Sequence, residues 1–261
     1  MAMDEDQEER TSSEVLFTYA KAIIAALLIA WGVRYFLLEA YRIPNSGMSP
    51  ALVPGDTAFV TKFDFAFRFP GLEGVRIWER TPKRGDLIVF LTGGRSPRET
   101  LKRVIGVPGD QISVQRGRLL LNQQDLSSVE SGKCGPESLP SVDSAKPRPP
   151  HTICVESPLL PDRPPVVLKE NEVFVAPDLR SESALLPPTS SQATGGAPDQ
   201  NAWQRQDQME NAWGVIRTSQ VLGRARWIWI SITPPQEKPE AGWTSRIRWN
   251  RMLRGIESIG D

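Results

Sequence analysis

The stretch Arg42-Ile43-Pro44-Asn45-Ser46-Gly47-Met48-Ser49-Pro50-Ala51-Leu52-Val53-Pro54-Gly55-Asp56 limits the fold of this chain more than any other. Its three prolines remove backbone donors and fix φ, and its two glycines loosen the backbone. Neither a helix nor a central strand tolerates that combination. The stretch is therefore a loop, shaped by whatever flanks it. It follows the one long apolar segment of the chain, a position close to a membrane surface.

That segment runs from Val15 to Phe36, with Ala22-Ile23-Ile24-Ala25-Ala26-Leu27-Leu28-Ile29-Ala30-Trp31-Gly32-Val33 at its centre. It is long enough to span a hydrocarbon core of about 30 Å, and Lys21 can reach the headgroups. The alternative is a buried core helix. Lys21 and Arg34 bracket the segment, so positive charge does not set its orientation. Before it, Asp4, Glu5, Asp6, Glu8, Glu9 and Glu14 stand against Arg10 alone, the composition of a solvated tail.

The remainder reads as β structure. With 23 prolines and 20 glycines in 261 residues, turns are frequent. Strands are expected over Asp56–Phe63, Lys169–Ala176 and Arg226–Ser231, with a turn and then a buried strand within Lys83–Phe90, a β-rich apolar run around Lys102 and a hairpin over Gln111–Leu121. Phe63, Phe65, Phe67 and Phe69 alternate, so a continuous strand would put the four rings on one face, in a core or on lipid. Residues 122–170 are rich in Ser and Pro, and residues 184–208 are a low-complexity loop. Lys plus Arg and Asp plus Glu both number 31, so nothing in the charge balance points to nucleic acid. Cys134 and Cys154 allow one disulfide at most; a bridge and two free thiols are both open. The single histidine, His151, lies between Pro150 and Thr152 and is expected to be exposed. No metal-ligand cluster, phosphate loop or Ser-His-Asp set is present, and no cofactor is expected.

Three stretches carry a resemblance. The loop is similar to Ile-Pro-Ser-Gly-Ser-Met-x-Pro-Thr-Leu of the bacterial type I signal peptidases. Lys102-Arg103-Val104-Ile105-Gly106-Val107-Pro108-Gly109-Asp110 matches that family's Lys-Arg-Val-Ile-Gly-Leu-Pro-Gly-Asp almost letter for letter. Pro177-Asp178-Leu179-Arg180 keeps the aspartate and arginine of its Gly-Asp-Asn-Arg. The resemblance covers residues 20–121 and 170–254.

It implies a mainly β fold: an N-terminal transmembrane helix followed by a signal-peptidase-like antiparallel β domain. The implied organisation is a tail at 1–14, an anchor at 15–37, a core-like β region at 38–121, a variable insertion at 122–169, the return of the core at 170–254 and a tail at 255–261. The implied location is a single-pass membrane protein with its domain on the extracytoplasmic side. The implied partners are signal peptides of secretory precursors and membrane lipid.

The implied chemistry is a serine attack assisted by a lysine. A lysine at its usual pKa of about 10.4 is protonated and takes no proton from serine, whereas burial disfavours the charged form. Lys102, among Leu101, Val104, Ile105 and Val107, holds the position of that base. The nucleophile position falls on Gly47, which has no side chain. Ser46 is one residue away, and a misplacement of about 1 Å can cost about a hundredfold in rate. Asn45 stands where the family has a serine that donates to the oxyanion, and its amide can do the same work. Ala51 replaces a threonine. Ser183 has the spacing of the serine that supports the lysine, while the family's later Asp-Ser-Arg is missing, with Met209-Glu210-Asn211-Ala212 before Trp213. The pattern fits a protein that keeps the fold and engages signal peptides with hydrolysis weakened or lost. The alternative is an active signal peptidase in which Ser46 is a shifted nucleophile and Lys102 the general base.

Overall fold

The structure is a computed structural model that describes residues 5–36, 38–68, 76–92, 97–116, 118–126, 129–130, 132–140, 150–155, 162–180, 214–235, 237, 240 and 242–256. Two compact units divide the chain, Met1–Glu39 and Ala40–Asp261.

The first unit is built on α1 (Glu5–Phe36). Ile23, Ile24, Leu27, Leu28 and Ile29 are exposed along it, and the Lys21 ammonium sits 4.3 Å from the centre of the Phe17 ring. Among the described residues no helix is long and apolar enough to cross a membrane.

The second unit is β structure. In chain order its strands are β1 (Leu38–Arg42), β2 (Asp56–Thr61), β3 (Phe67–Arg68), β4 (Arg76–Ile77), β5 (Leu87–Leu91), β6 (Glu99–Gly106), β7 (Gln111–Gln115) and β8 (Arg118–Leu121). They continue as β9 (Gln124–Asp125), β10 (Lys133–Glu137), β11 (His151–Val155), β12 (Arg163–Val167), β13 (Glu172–Ala176), β14 (Leu179–Arg180), β15 (Gly214–Arg217) and β16 (Val221–Ser231). A seven-stranded sheet has the order β1-β2-β16-β5-β6-β13-β15. It joins strands from both sides of the 122–169 segment. A four-stranded sheet, β12-β7-β8-β9, and a three-stranded one, β10-β11-β14, stand beside it. The two edges of the four-stranded sheet differ. β12 is an edge strand whose pairing with β7 shifts register between Arg163 and Val166, across Pro164 and Pro165.

Local sequence explains the central strands. β5 is a continuous apolar run, and β6 is buried along almost its whole length although it carries Lys102 and Arg103, because neighbours cover both faces of the sheet. Ile88, Phe90, Val104 and Ile105 are all within 1 % of full burial. The turn after β6 is closed by the Asp110 carboxylate, which accepts the Val107 N–H at 2.8 Å, and by Gly109 at φ 87°. Burial raises the Asp110 pKa, but the Arg84 guanidinium and the Val107 and Asn122 donors outweigh it and hold the carboxyl below its ordinary value.

Two expectations need correction. The alternation Phe63–Phe69 is not one strand: β2 ends at Thr61, a turn follows, and Phe63 is exposed while Phe65 is buried. The Asp64 side chain ends the strand by turning back to Arg226 and to the Thr61 hydroxyl. Phe69 lies outside the described residues. His151 is also not exposed; its side chain is 13 % accessible and faces Glu137. Of the two readings for the cysteines, the bridge is the one found, Cys134–Cys154.

Candidate functional site

The loop 43–56 is closed at its base by the backbone. Ile43 N–H donates to Asp56 O at 2.8 Å, and Gly55 N–H donates to Ile43 O at 3.0 Å. Met48 and Leu52 point inward, 3 % and 0 % exposed, and make the loop part of the core. This inward anchoring answers what its prolines and glycines leave open: tertiary packing, not regular secondary structure, sets its path.

The C-terminal segment clamps the far side of the loop. Asp56 is fully buried. It accepts from Ser231 Oγ at 2.6 Å, from Arg251 Nη2 at 2.7 Å and from Val53 N–H at 3.0 Å. Arg251 Nη2 also donates to Ala51 O at 2.9 Å, and Arg248 Nη2 to Pro54 O at 2.7 Å.

Within the loop, Asn45 Oδ1 accepts the Gly47 N–H at 3.0 Å, a side-chain-to-backbone turn that Asn favours. Gly47 O accepts the Leu179 N–H at 3.0 Å. Gly47 itself is buried and Ser46 exposed. The described glycines with positive φ are Gly55, Gly85, Gly109 and Gly132; Gly47 keeps a backbone that a serine can adopt.

Lys102 lies on β6, opposite Ile88 of β5, and is 1 % exposed. Its neighbours on both sides lead to the loop. On one side, Leu101 lines a pocket together with Tyr41, Ile43, Pro44, Asn45, Met48, Glu99 and Thr100. Tyr41 Oη closes one wall by donating to Glu99 O at 3.1 Å. On the other side, Arg103 makes a two-pronged pair with Asp178, Nε–Oδ1 2.7 Å and Nη2–Oδ2 2.6 Å, and the next residue, Leu179, is the one that holds Gly47 O. The loop, the start of β6 and the Asp178–Arg180 stretch thus meet, although they are far apart in sequence.

The chain matches the family described as "Signal peptidase, peptidase S26" over residues 16–184. It belongs to this family. A signal peptidase I of Rickettsia bellii is 26 % identical over 259 residues, covering 92 % of this chain and 86 % of the relative. One of Pseudomonas aeruginosa is 32 % identical over 135 residues, 52 % of this chain and 48 % of the relative. One of Buchnera aphidicola subsp. Baizongia pistaciae is 36 % identical over 102 residues. The chain spans about half the length of the Pseudomonas relative and 33 % of the Buchnera one.

Within this S26 chain, Asn45, Ser46, Gly47 and Lys102 all fall in the described structure, and Ser183 lies outside it, as do Met209 to Trp213. Sequence reasoning missed Leu179 as the anchor of Gly47, Tyr41 as a wall of the pocket, and the Arg103–Asp178 pair. The last had a signal: the two charges that survive in two otherwise separate motifs are each other's partners. Among the described residues no group of His, Cys, Asp and Glu is arranged to hold a metal.

Proposed function

We propose that the chain is a membrane-anchored S26 protein that engages the signal peptides of secretory precursors and has weakened or lost their hydrolysis. The observation that carries this reading is Gly47 at the nucleophile position, with its N–H already bonded to Asn45 Oδ1. A backbone amide at that place is the kind of donor that stabilises a developing oxyanion, and here the Asn45 side chain occupies it. The Nδ2 end of the same side chain is the candidate oxyanion donor. Lys102 is the candidate base: burial favours the neutral amine that general-base work requires. The pocket between the loop and β6 would receive the peptide, whose apolar residues suit Ile43, Met48 and Leu101.

The anchor is the apolar part of α1. At a rise of about 1.5 Å per residue, Val15–Phe36 measures about 33 Å, which in length alone matches a hydrocarbon core of about 30 Å, although among the described residues no helix is both long and apolar enough to cross it. The apolar side chains exposed from Ile23 to Ile29 suit contact with lipid, and the sequence stays apolar through Ala30, Trp31 and Val33. The Cys134–Cys154 disulfide supports a domain on the oxidising, extracytoplasmic side.

The test is incubation of the full chain in detergent with a signal-peptide substrate. The natural protein and Ser46→Ala bind the peptide and leave it uncut. Gly47→Ser creates cleavage, and Gly47→Ser with Lys102→Ala removes it again. If the natural protein cuts and Ser46→Ala abolishes the cutting, Ser46 is a shifted nucleophile and the non-cleaving reading fails.

A further inference from the structure

We propose that the disulfide-closed hairpin β10–β11 is a positioning arm for Gly47, with Glu137 and His151 as positioning residues that act through Arg180 and Asp178. The contact on Gly47 comes from β14, a strand of only two residues at the edge of its sheet. Two residues of parallel pairing do not make a stable strand by themselves. β14 is held by what lies behind it, and that is the hairpin.

The connection runs residue by residue. β11 pairs with β14 in the register Cys154↔Leu179 and Val155↔Arg180. Cys154 N–H donates to Asp178 O at 2.9 Å, and Leu179 N–H donates to Gly47 O at 3.0 Å. A half-cystine is therefore level with the residue that holds the loop. Across the hairpin, Cys134 faces Cys154 and Glu137 faces His151.

Side chains lock the same path. Arg180 Nη2 donates to Glu137 Oε2 at 2.6 Å. His151 Nε2 lies 3.2 Å from Glu137 Oε2 and 3.8 Å from Asp178 Oδ1. Asp178 carries the Arg103 pair. Glu137 is 0 % and Asp178 1 % exposed, so removing one partner leaves the others buried and uncompensated. β14 then loses both of its grips, the ladder to β11 and the anchored Arg180. The inference concerns where Gly47 is held, and it stands whether or not position 47 supports hydrolysis.

The test is amide hydrogen exchange on the full chain in detergent. It compares the natural protein, the Cys134→Ser/Cys154→Ser double variant, Glu137→Leu and Glu137→Gln. In the double variant and in Glu137→Leu the Leu179 amide should exchange about tenfold faster, as local opening without global unfolding allows. The amides of Val104 and Leu52, bonded to Asp86 O and Met48 O, should keep natural protection. Glu137→Gln keeps an oxygen for Arg180 and should recover most of the Leu179 protection. Unchanged Leu179 exchange in both disrupting variants overturns the proposal. So does an equal rise at Val104 and Leu52, because the hairpin would then be supporting the whole domain rather than placing the loop. Exchange is read without any peptide, so the outcome is separate from the cleavage experiment.

Discussion

Asp56 and Glu137 are both buried carboxylates that meet arginines next to the same loop, and they are built differently. Asp56 accepts from two arginines, a serine and a backbone amide, all supplied by the loop, β16 and the C-terminal segment. Glu137 has one arginine and one imidazole. Its Oε1, and Nε of its partner Arg180, have no hydrogen-bond partner among the described residues. A saturated cluster has one low-energy arrangement; an unsaturated one tolerates others. The loop is thus fixed firmly at 51–56 and held more adjustably at Gly47, the residue on which the proposed function turns.

The largest expected effect breaks the saturated side. Asp56→Ala strands Arg248 and Arg251 and frees the Val53 amide, at a cost of about 4 kcal/mol. Denaturant unfolding of the full chain in detergent measures it, and a loss under about 1 kcal/mol would erase the contrast.

Acid tests the Glu137 side next. Burial alone would raise the Glu137 pKa, but Arg180 and His151 outweigh it and hold it at about 2 against an ordinary 4.5. Because the folded value is depressed, the stabilisation is fully present above pH 4.5 and is lost as pH falls towards 2. Unfolding followed across that window should show a decline on the order of 3 kcal/mol that Glu137→Gln lacks. An identical decline in Glu137→Gln would assign the acid sensitivity to other carboxylates.

The smallest effect sharpens the comparison within the hairpin. Glu130 and Lys133 pair at 2.7 Å on the same arm, with side chains 67 % and 69 % exposed. Glu130→Ala should change stability by less than about 0.5 kcal/mol and leave Leu179 exchange as it is. A larger change would mean that the exposed end of the hairpin also bears on the loop.

The loop and β6 were legible in the sequence because their signals are local: prolines and glycines in one stretch, and an apolar run with Lys102 inside it. The clusters were not legible, because their partners come from far along the chain. Arg251 reads as part of a polar tail, yet it crosses 195 positions to reach Asp56. His151 reads as exposed between a proline and a threonine, yet its register opposite Glu137 leaves its side chain only 13 % accessible. The four alternating phenylalanines suggested one face, and Asp64, between the first two, ended the strand instead. Neither the disulfide nor the Gly47–Leu179 contact follows from spacing, since each depends on how β11 lies against β14.

The register shift at β12 has a consequence for how copies of this protein behave in a crowd. An edge strand with a full row of amides invites a neighbour's strand to continue the sheet. Pro164 and Pro165 have no N–H to offer, and they sit where the ladder to β7 slips. Val166 and Val167 beside them are exposed, 48 % and 60 %, side chains that would otherwise favour such pairing. The two prolines therefore blunt this edge: they take N–H groups out of the row that a neighbour's strand would pair with.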